Sequence, residues 1–308
     1  MNNEEFIMKP KNDYVFKKIF GDENNKDILK AFLEAVLDEN IREVSILNSE
    51  ITKENIKDKK SILDIRATID GGVQVDIEIQ VARIPYMPER SLYYWAKLYS
   101  EQLNVGEKYT RLQKTICINV LDYEGTESSN YHSIYKVIER EQGFMLTNML
   151  ELHFIEMTKL NGYNEDKLTQ WIEFIKGESR EEMVELSAIN EEIKKAYDIL
   201  DNMAKDKKER AEYLSREMAI HDEATRIDYA MNEGREKGLE EGRKQGIEEG
   251  IKEGIKEGIK EGIKEGIKEG IETKAIAIAI EMLKDNEPIE RIMKYTKLTK
   301  EQILNIEI

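Results

Sequence analysis

The run Ser61–Ile69 (SILDIRATI), the tripeptide Asp70-Gly71-Gly72 and the run Val73–Val81 (VQVDIEIQV) decide the fold. Both runs alternate apolar and polar residues, which is the period of a half-buried strand. An Asp-Gly-Gly between two such runs predicts a β-hairpin. Side chains alternate faces along a strand. Ile65 and Ala67 therefore share one face of the first strand, and Asp64 and Arg66 the other. On the second strand Val75, Ile77, Ile79 and Val81 oppose Asp76, Glu78 and Gln80. Folding at 70–72 lays the two polar rows side by side and puts Asp64 close to Glu78.

Two carboxylates that close disfavour each other's ionisation. A divalent cation removes the conflict. Mg²⁺ takes one or two carboxylates and completes its shell with waters and phosphate oxygens. Held there, such an ion can activate water and offset charge building on a phosphodiester. The plainer alternative is a solvated polar sheet face that binds nothing.

Working outward, residues 12–38 carry apolar positions at helical spacing (Val15, Phe16, Ile19, Phe20, then Ile28, Phe32, Val36). Gly21-Asp22 interrupts them, which predicts a helix or a close helix pair. Residues 42–50 read as extended, 89–105 as helix and 114–121 as a buried strand; Tyr131–Glu139 and Leu152–Met157 are further strand candidates. After Trp171 the chain reads as helix throughout.

These pieces, in this order, resemble a known family. KNDYVFKKIFG (11–21), SILDIRA (61–67), DIEIQ (76–80) and RSLYYWAKLYS (90–100) are similar to the Rpn family of recombination-promoting nucleases and transposases, and the likeness extends to LHFIEMTKL (152–160). The resemblance implies an α/β fold with a PD-(D/E)XK restriction-endonuclease-like core, a mixed central sheet flanked by helices, followed here by an all-α tail. It implies Mg²⁺-dependent DNA cleavage, with Mn²⁺ as a substitute, and a role in recombination. Carried over by position, Asp64 and Glu78 become the metal ligands, and Gln80 stands at the place of the motif lysine. Asp13 matches the family's Asn-Asp pair and completes the acidic cluster, or else caps its helix.

An amide at Gln80 can orient a water but carries no charge, so the cation must come from elsewhere. Arg66, Arg90 and Lys97 are the candidates, and each is equally a DNA-contact residue that positions phosphate. Tyr93, Tyr94, Trp95 and Tyr99 can stack on bases or pack a core. His132, His153 and His221 are widely spaced in sequence and give no metal motif. With no base-reading element found, little sequence preference is expected. A catalytically inactive DNA-binding or recombination accessory protein and a scaffold acting through the tail are the rival readings.

Hydrophobic content of 40% permits a real core, while 36% charged residues points to long solvated helices. The net charge of −16 does not exclude a nucleic-acid partner: residues 83–114 carry Arg83, Arg90, Lys97, Lys108, Arg111 and Lys114 against three glutamates. The single Cys117 cannot form an internal disulfide. With no stretch of membrane-span length and no apolar leader segment, a cytoplasmic protein without membrane contact is expected.

From Gly234 to Gly270 a glycine falls at every fourth position, and Ile-Lys-Glu-Gly repeats five times over 251–270. A four-residue step overshoots the helical turn by about 40°, so neither the glycine nor the isoleucine row keeps one face. Ten glycines cost roughly 10 kcal/mol of helix propensity against alanine. Charged i,i+3 pairs return only about 0.2–0.5 kcal/mol each. The segment is thus expected to be a poor lone helix, ordered by self-association through a right-handed coiled coil, or else a flexible spacer. The resulting division is a nuclease-like domain at 1–175, a helical segment at 176–232, the glycine repeat at 233–272, and a short helical unit at 273–308 with a capping box at Thr299–Gln302.

Overall fold

The computed structural model describes residues 6–48, 64–162 and 166–306. The first residues of the hairpin run, 61–63, lie outside the described residues. From there the hairpin forms as its alternation requires. After α1 (Asp13–Phe20), α2 (Lys26–Leu37) and β1 (Val44–Leu47), β2 (Ile65–Ile69) turns through Asp70–Gly72 into β3 (Val73–Gln80). The register sets Ile65 opposite Ile77 and Ala67 opposite Val75. Gly71 and Gly72 take φ of 72° and 91°, the left-handed region where a side chain would be strained, so the turn depends on glycine here.

The chain continues through α3 (Met87–Ser100), β4 (Thr115–Leu121), β5 (His132–Tyr135) and β6 (Leu150–Glu156). The six strands lie in the order β1-β2-β3-β4-β6-β5. β3, β4 and β6 run parallel and the remaining pairs antiparallel. This is a mixed sheet flanked by helices. Every residue of β4 and β6 is buried, as parallel strands covered on both faces must be.

Each face of the sheet has its own core. On one, Ile65, Ala67, Val75, Ile77, Ile79, Ile116 and Ile118 meet the apolar stripes of α1 (Val15, Phe16, Ile19, Phe20) and α2 (Ile28, Leu29, Phe32, Leu33, Val36). On the other, Met87, Tyr94 and Leu98 of α3 cover Cys117, Leu121, Leu152 and Phe154. The polar row Asp76, Glu78, Gln80 therefore faces α3.

The first core does not stop at residue 175. Past α4 (Lys167–Lys176) it takes in Met183 and Leu186 of α5 (Arg180–Ile189), and Ile193, Ala196, Leu200 and Met203 of α6 (Glu191–Lys205). It reaches Tyr213 in α7 (Lys207–Lys284). The compact unit runs from Met1 to Asp228. Long-range apolar contacts carry these helices into the core, and helical periodicity alone does not reveal such contacts.

A second unit spans Tyr229–Ile308. Within it, Ala279 packs with Ile292 of α8 (Ile289–Thr296), with Leu298 in the following link, and with Ile303 of α9 (Lys300–Leu304), and the capping box at Thr299 and Gln302 forms. The glycine repeat is continuous helix inside α7, where propensity forecasts a poor lone helix. Nucleation is the costly step of helix formation, and here each repeat extends a helix that exists on both sides. No atom approaches within 4 Å of where a Cβ would sit on any of its glycines, and Ile251, Ile255, Ile259, Ile263 and Ile267 are all exposed. No helix among the described residues is long and apolar enough to cross a membrane.

Candidate active site

Asp64 stands just before β2, directly across the hairpin from the end of β3. Its Oδ2 accepts from the Ile79 amide at 2.9 Å, and its own amide donates to Glu78 Oε1 at 3.1 Å. The two carboxylates read from the alternation are thus locked together by backbone hydrogen bonds. Glu78 is 2% exposed. Burial first, and the neighbouring Asp64 charge second, push its carboxyl up to about 8, while Arg90 opposes the shift from 3.5 Å. Asp76, one pleat deeper, is also buried. It is pushed well above the usual carboxylate range by burial and by the charges of Glu78 and Asp64, with a hydrogen bond from the Cys117 thiol opposing. Its Oδ1 has no hydrogen-bond partner.

A cleft of about 480 Å³ opens at Asp64, with Asp13, Gln80 and Arg90 also in its lining. Asp13 is the first residue of α1. Asn12, not Asp13, caps that helix, its side chain accepting from the Tyr14 amide at 3.1 Å. Asp13 is therefore free to face the cleft, where its Oδ1 is buried without a partner.

Besides Arg90 on Glu78, a cation that the sequence reading did not name stands at Asp64. Lys17 Nζ lies 2.8 Å from Asp64 Oδ1. Lys17 sits one turn after Asp13 on α1, and this i,i+4 spacing is the signal that could have found it. Of the three DNA-contact candidates, Arg90 lines the cleft. Arg66 is held by Glu101 at 3.1 Å, and Lys97 rests over the Tyr93 ring at 5.4 Å.

The α3 aromatics mostly pack. Tyr94 is buried against Arg90, and Trp95 donates to the Thr115 carbonyl and stacks on Tyr99; Tyr93 is exposed. Two of the histidines lie closer than their sequence spacing suggests. His132 and His153, 21 positions apart, meet across β5 and β6 with Nε2 and Nδ1 at 3.0 Å, because strand pairing joins what sequence spacing separates. Burial, then the His153 charge, lowers His132 to about 4. Each ring nitrogen of the contact is spent on the other ring. Among the described residues no group of three or more His, Cys, Asp or Glu is placed to hold a metal.

A mixed sheet flanked by helices, its hairpin carrying the paired carboxylates of Asp64 and Glu78, is the fold expected of a PD-(D/E)XK-like core. The family model for the PD-(D/E)XK nuclease family transposase matches residues 10–230, and the chain belongs to that family. Comparison with curated proteins and with solved structures finds no match. Membership supports a nuclease- or transposase-type function, and nucleases of this kind typically use divalent metals.

Proposed function

We propose that the chain is a metal-dependent DNA endonuclease of the recombination-promoting type, hydrolysing phosphodiesters with little sequence preference. The observation that carries this reading is the Asp64–Glu78 pair, two carboxylates joined by backbone hydrogen bonds with the Glu78 carboxyl held up at about 8. Arg90 alone answers the buried Glu78 from 3.5 Å, and Asp13 Oδ1, in the cleft that Asp64 also lines, has no hydrogen-bond partner. Two carboxylates with room for water and phosphate suit Mg²⁺ or Mn²⁺, so the donor set fits. An ion held by Asp64 and Glu78 would activate water and offset charge on the phosphate.

The chain's own residues do the rest. Gln80 orients the attacking water. Lys17 supplies the charge a motif lysine would bring, and its 2.8 Å contact with Asp64 supports that role. Asp13 supports the acidic cluster, and Arg90 neutralises Glu78 and meets the DNA backbone.

Plasmid nicking by the purified chain in Mg²⁺ or Mn²⁺, beside Asp64→Ala and Glu78→Ala, tests the site. Loss in both variants is expected; equal nicking by all three sinks the assignment. We further propose a cytoplasmic protein whose repeat, residues 233–272, tethers copies into a homo-oligomer. Deleting 234–270 should lower the mass seen by light scattering, and an unchanged mass defeats the tether.

A further inference from the structure

One wall of the cleft comes from a part of the chain remote in sequence. The opening turns of α7 lie along it, with Arg216, Ala219, Ile220 and Ile227 in the lining opposite Asp64, Gln80 and Arg90. This segment is fastened to α1 at several points. Tyr14 donates to Glu209 at 2.6 Å and Asn12 to Glu217 at 2.8 Å, while Tyr213 is buried edge-on against Phe6. Glu209, Tyr213 and Glu217 recur at i,i+4, so one stripe of α7 grips the N-terminal segment and the adjacent row faces the cleft.

The cations in and beside this cleft are committed to different degrees. Lys11 is held by Asp122 at 2.6 Å, Lys17 by Asp64 at 2.8 Å and Arg90 by Glu78 at 3.5 Å. Arg216 approaches Asp13 Oδ2 only at 3.8 Å, and its side chain is about half exposed at 53%. A loosely paired, half-exposed guanidinium is poorly explained as a stabilising pair, since exposed pairs contribute little. Its planar fork does match two oxygens of a phosphodiester.

We propose that Arg216 positions a nucleic-acid backbone phosphate beside the Asp64–Glu78 pair, and that the start of α7 is the outer wall of the substrate cleft. This rests on the nuclease reading above. When a phosphodiester enters, the guanidinium exchanges Asp13 for the non-bridging oxygens. Arg216 is thus a positioning residue contributed by a helix far along the chain from the hairpin.

The test uses the full-length chain, with a short labelled DNA duplex in Ca²⁺ for binding by anisotropy and plasmid nicking in Mg²⁺ for turnover. Arg216→Ala should weaken binding by about 10-fold and reduce the slope of log affinity against log salt by about one, with kcat changed less than about 2-fold. Arg216→Lys keeps the charge without the fork and should recover part of the affinity. Binding by Arg216→Ala equal to the parent's overturns the proposal, as does faster nicking, which would make α7 a cover. Should the parent chain nick no better than Asp64→Ala, the nuclease reading fails, while the binding arm still decides the role of Arg216.

Discussion

The hairpin at 64–80 and the glycine repeat at 234–270 are the two most regular stretches of this chain, and they end in opposite conditions. The hairpin has a period of two, the same as the strand, so every alternate residue keeps to one face. One row joins the core and the other builds the site. The repeat has a period of four against a helical 3.6, so its rows precess and no face gathers enough apolar surface to bury. Its isoleucines stay exposed and its glycines touch nothing. Regularity organises a chain only where it is commensurate with the backbone geometry that carries it.

The contrast is sharpest in stability. Trp171, 1% exposed among Phe20, Phe32 and Phe174, should cost about 3–5 kcal/mol as Trp171→Ala, while Ile259→Ala in the repeat stays within about 0.5 kcal/mol by urea denaturation. Comparable losses at both positions would show the repeat to be packed in solution.

A matched pair of lysines separates the regions by activity. Lys17→Ala, which removes the cation on Asp64, should reduce nicking on the order of 100-fold, whereas Lys256→Ala in the repeat should leave the rate unchanged. A fully active Lys17→Ala moves the charge to another residue.

Acid–base behaviour gives the next contrast, because the raised carboxyls lie in the hairpin. The folded value for Glu78, about 8, stands above its ordinary 4.5, so the native state holds the proton more tightly than the unfolded chain. The stability this group contributes is full below about 4.5 and is lost as pH rises towards 8. In EDTA, urea midpoints should therefore fall between pH 5 and pH 9, with Asp76 adding to the fall in the same direction. Glu78→Gln, uncharged throughout, should fall less. An equal decline in the variant would assign the effect elsewhere.

The smallest effect expected is Gly258→Ala, about 1 kcal/mol of added helix propensity, since the new methyl meets nothing. Circular dichroism should show more helix on heating. A drop in oligomer mass instead would place a partner backbone against that glycine.

Much of this was legible without coordinates, and the reason is locality. α1, α2, the hairpin and β4 follow from periodicities that close within a few residues. The approach of Asp64 to Glu78 follows from a turn that fixes register across 14 positions. A division at residue 175 follows the reach of the family resemblance and the onset of helix signals, and the core that continues to Tyr213 is made by contacts neither contains. The His132–His153 contact needed strand order, and Asp76 read as one of a polar row until α3 was placed over it.

The sequence by itself determined the strands, the face each carboxylate takes and the acidic pair, because a two-residue period and an Asp-Gly-Gly turn leave no freedom in which side chains meet. Only the tertiary structure brought Lys17 and Arg216 to the acidic residues beside Arg90. Lys17 reaches Asp64 across 47 positions, and Arg216 reaches Asp13 across 203. A charge acts over a few ångströms of space, whatever its distance along the chain, and packing alone sets that separation.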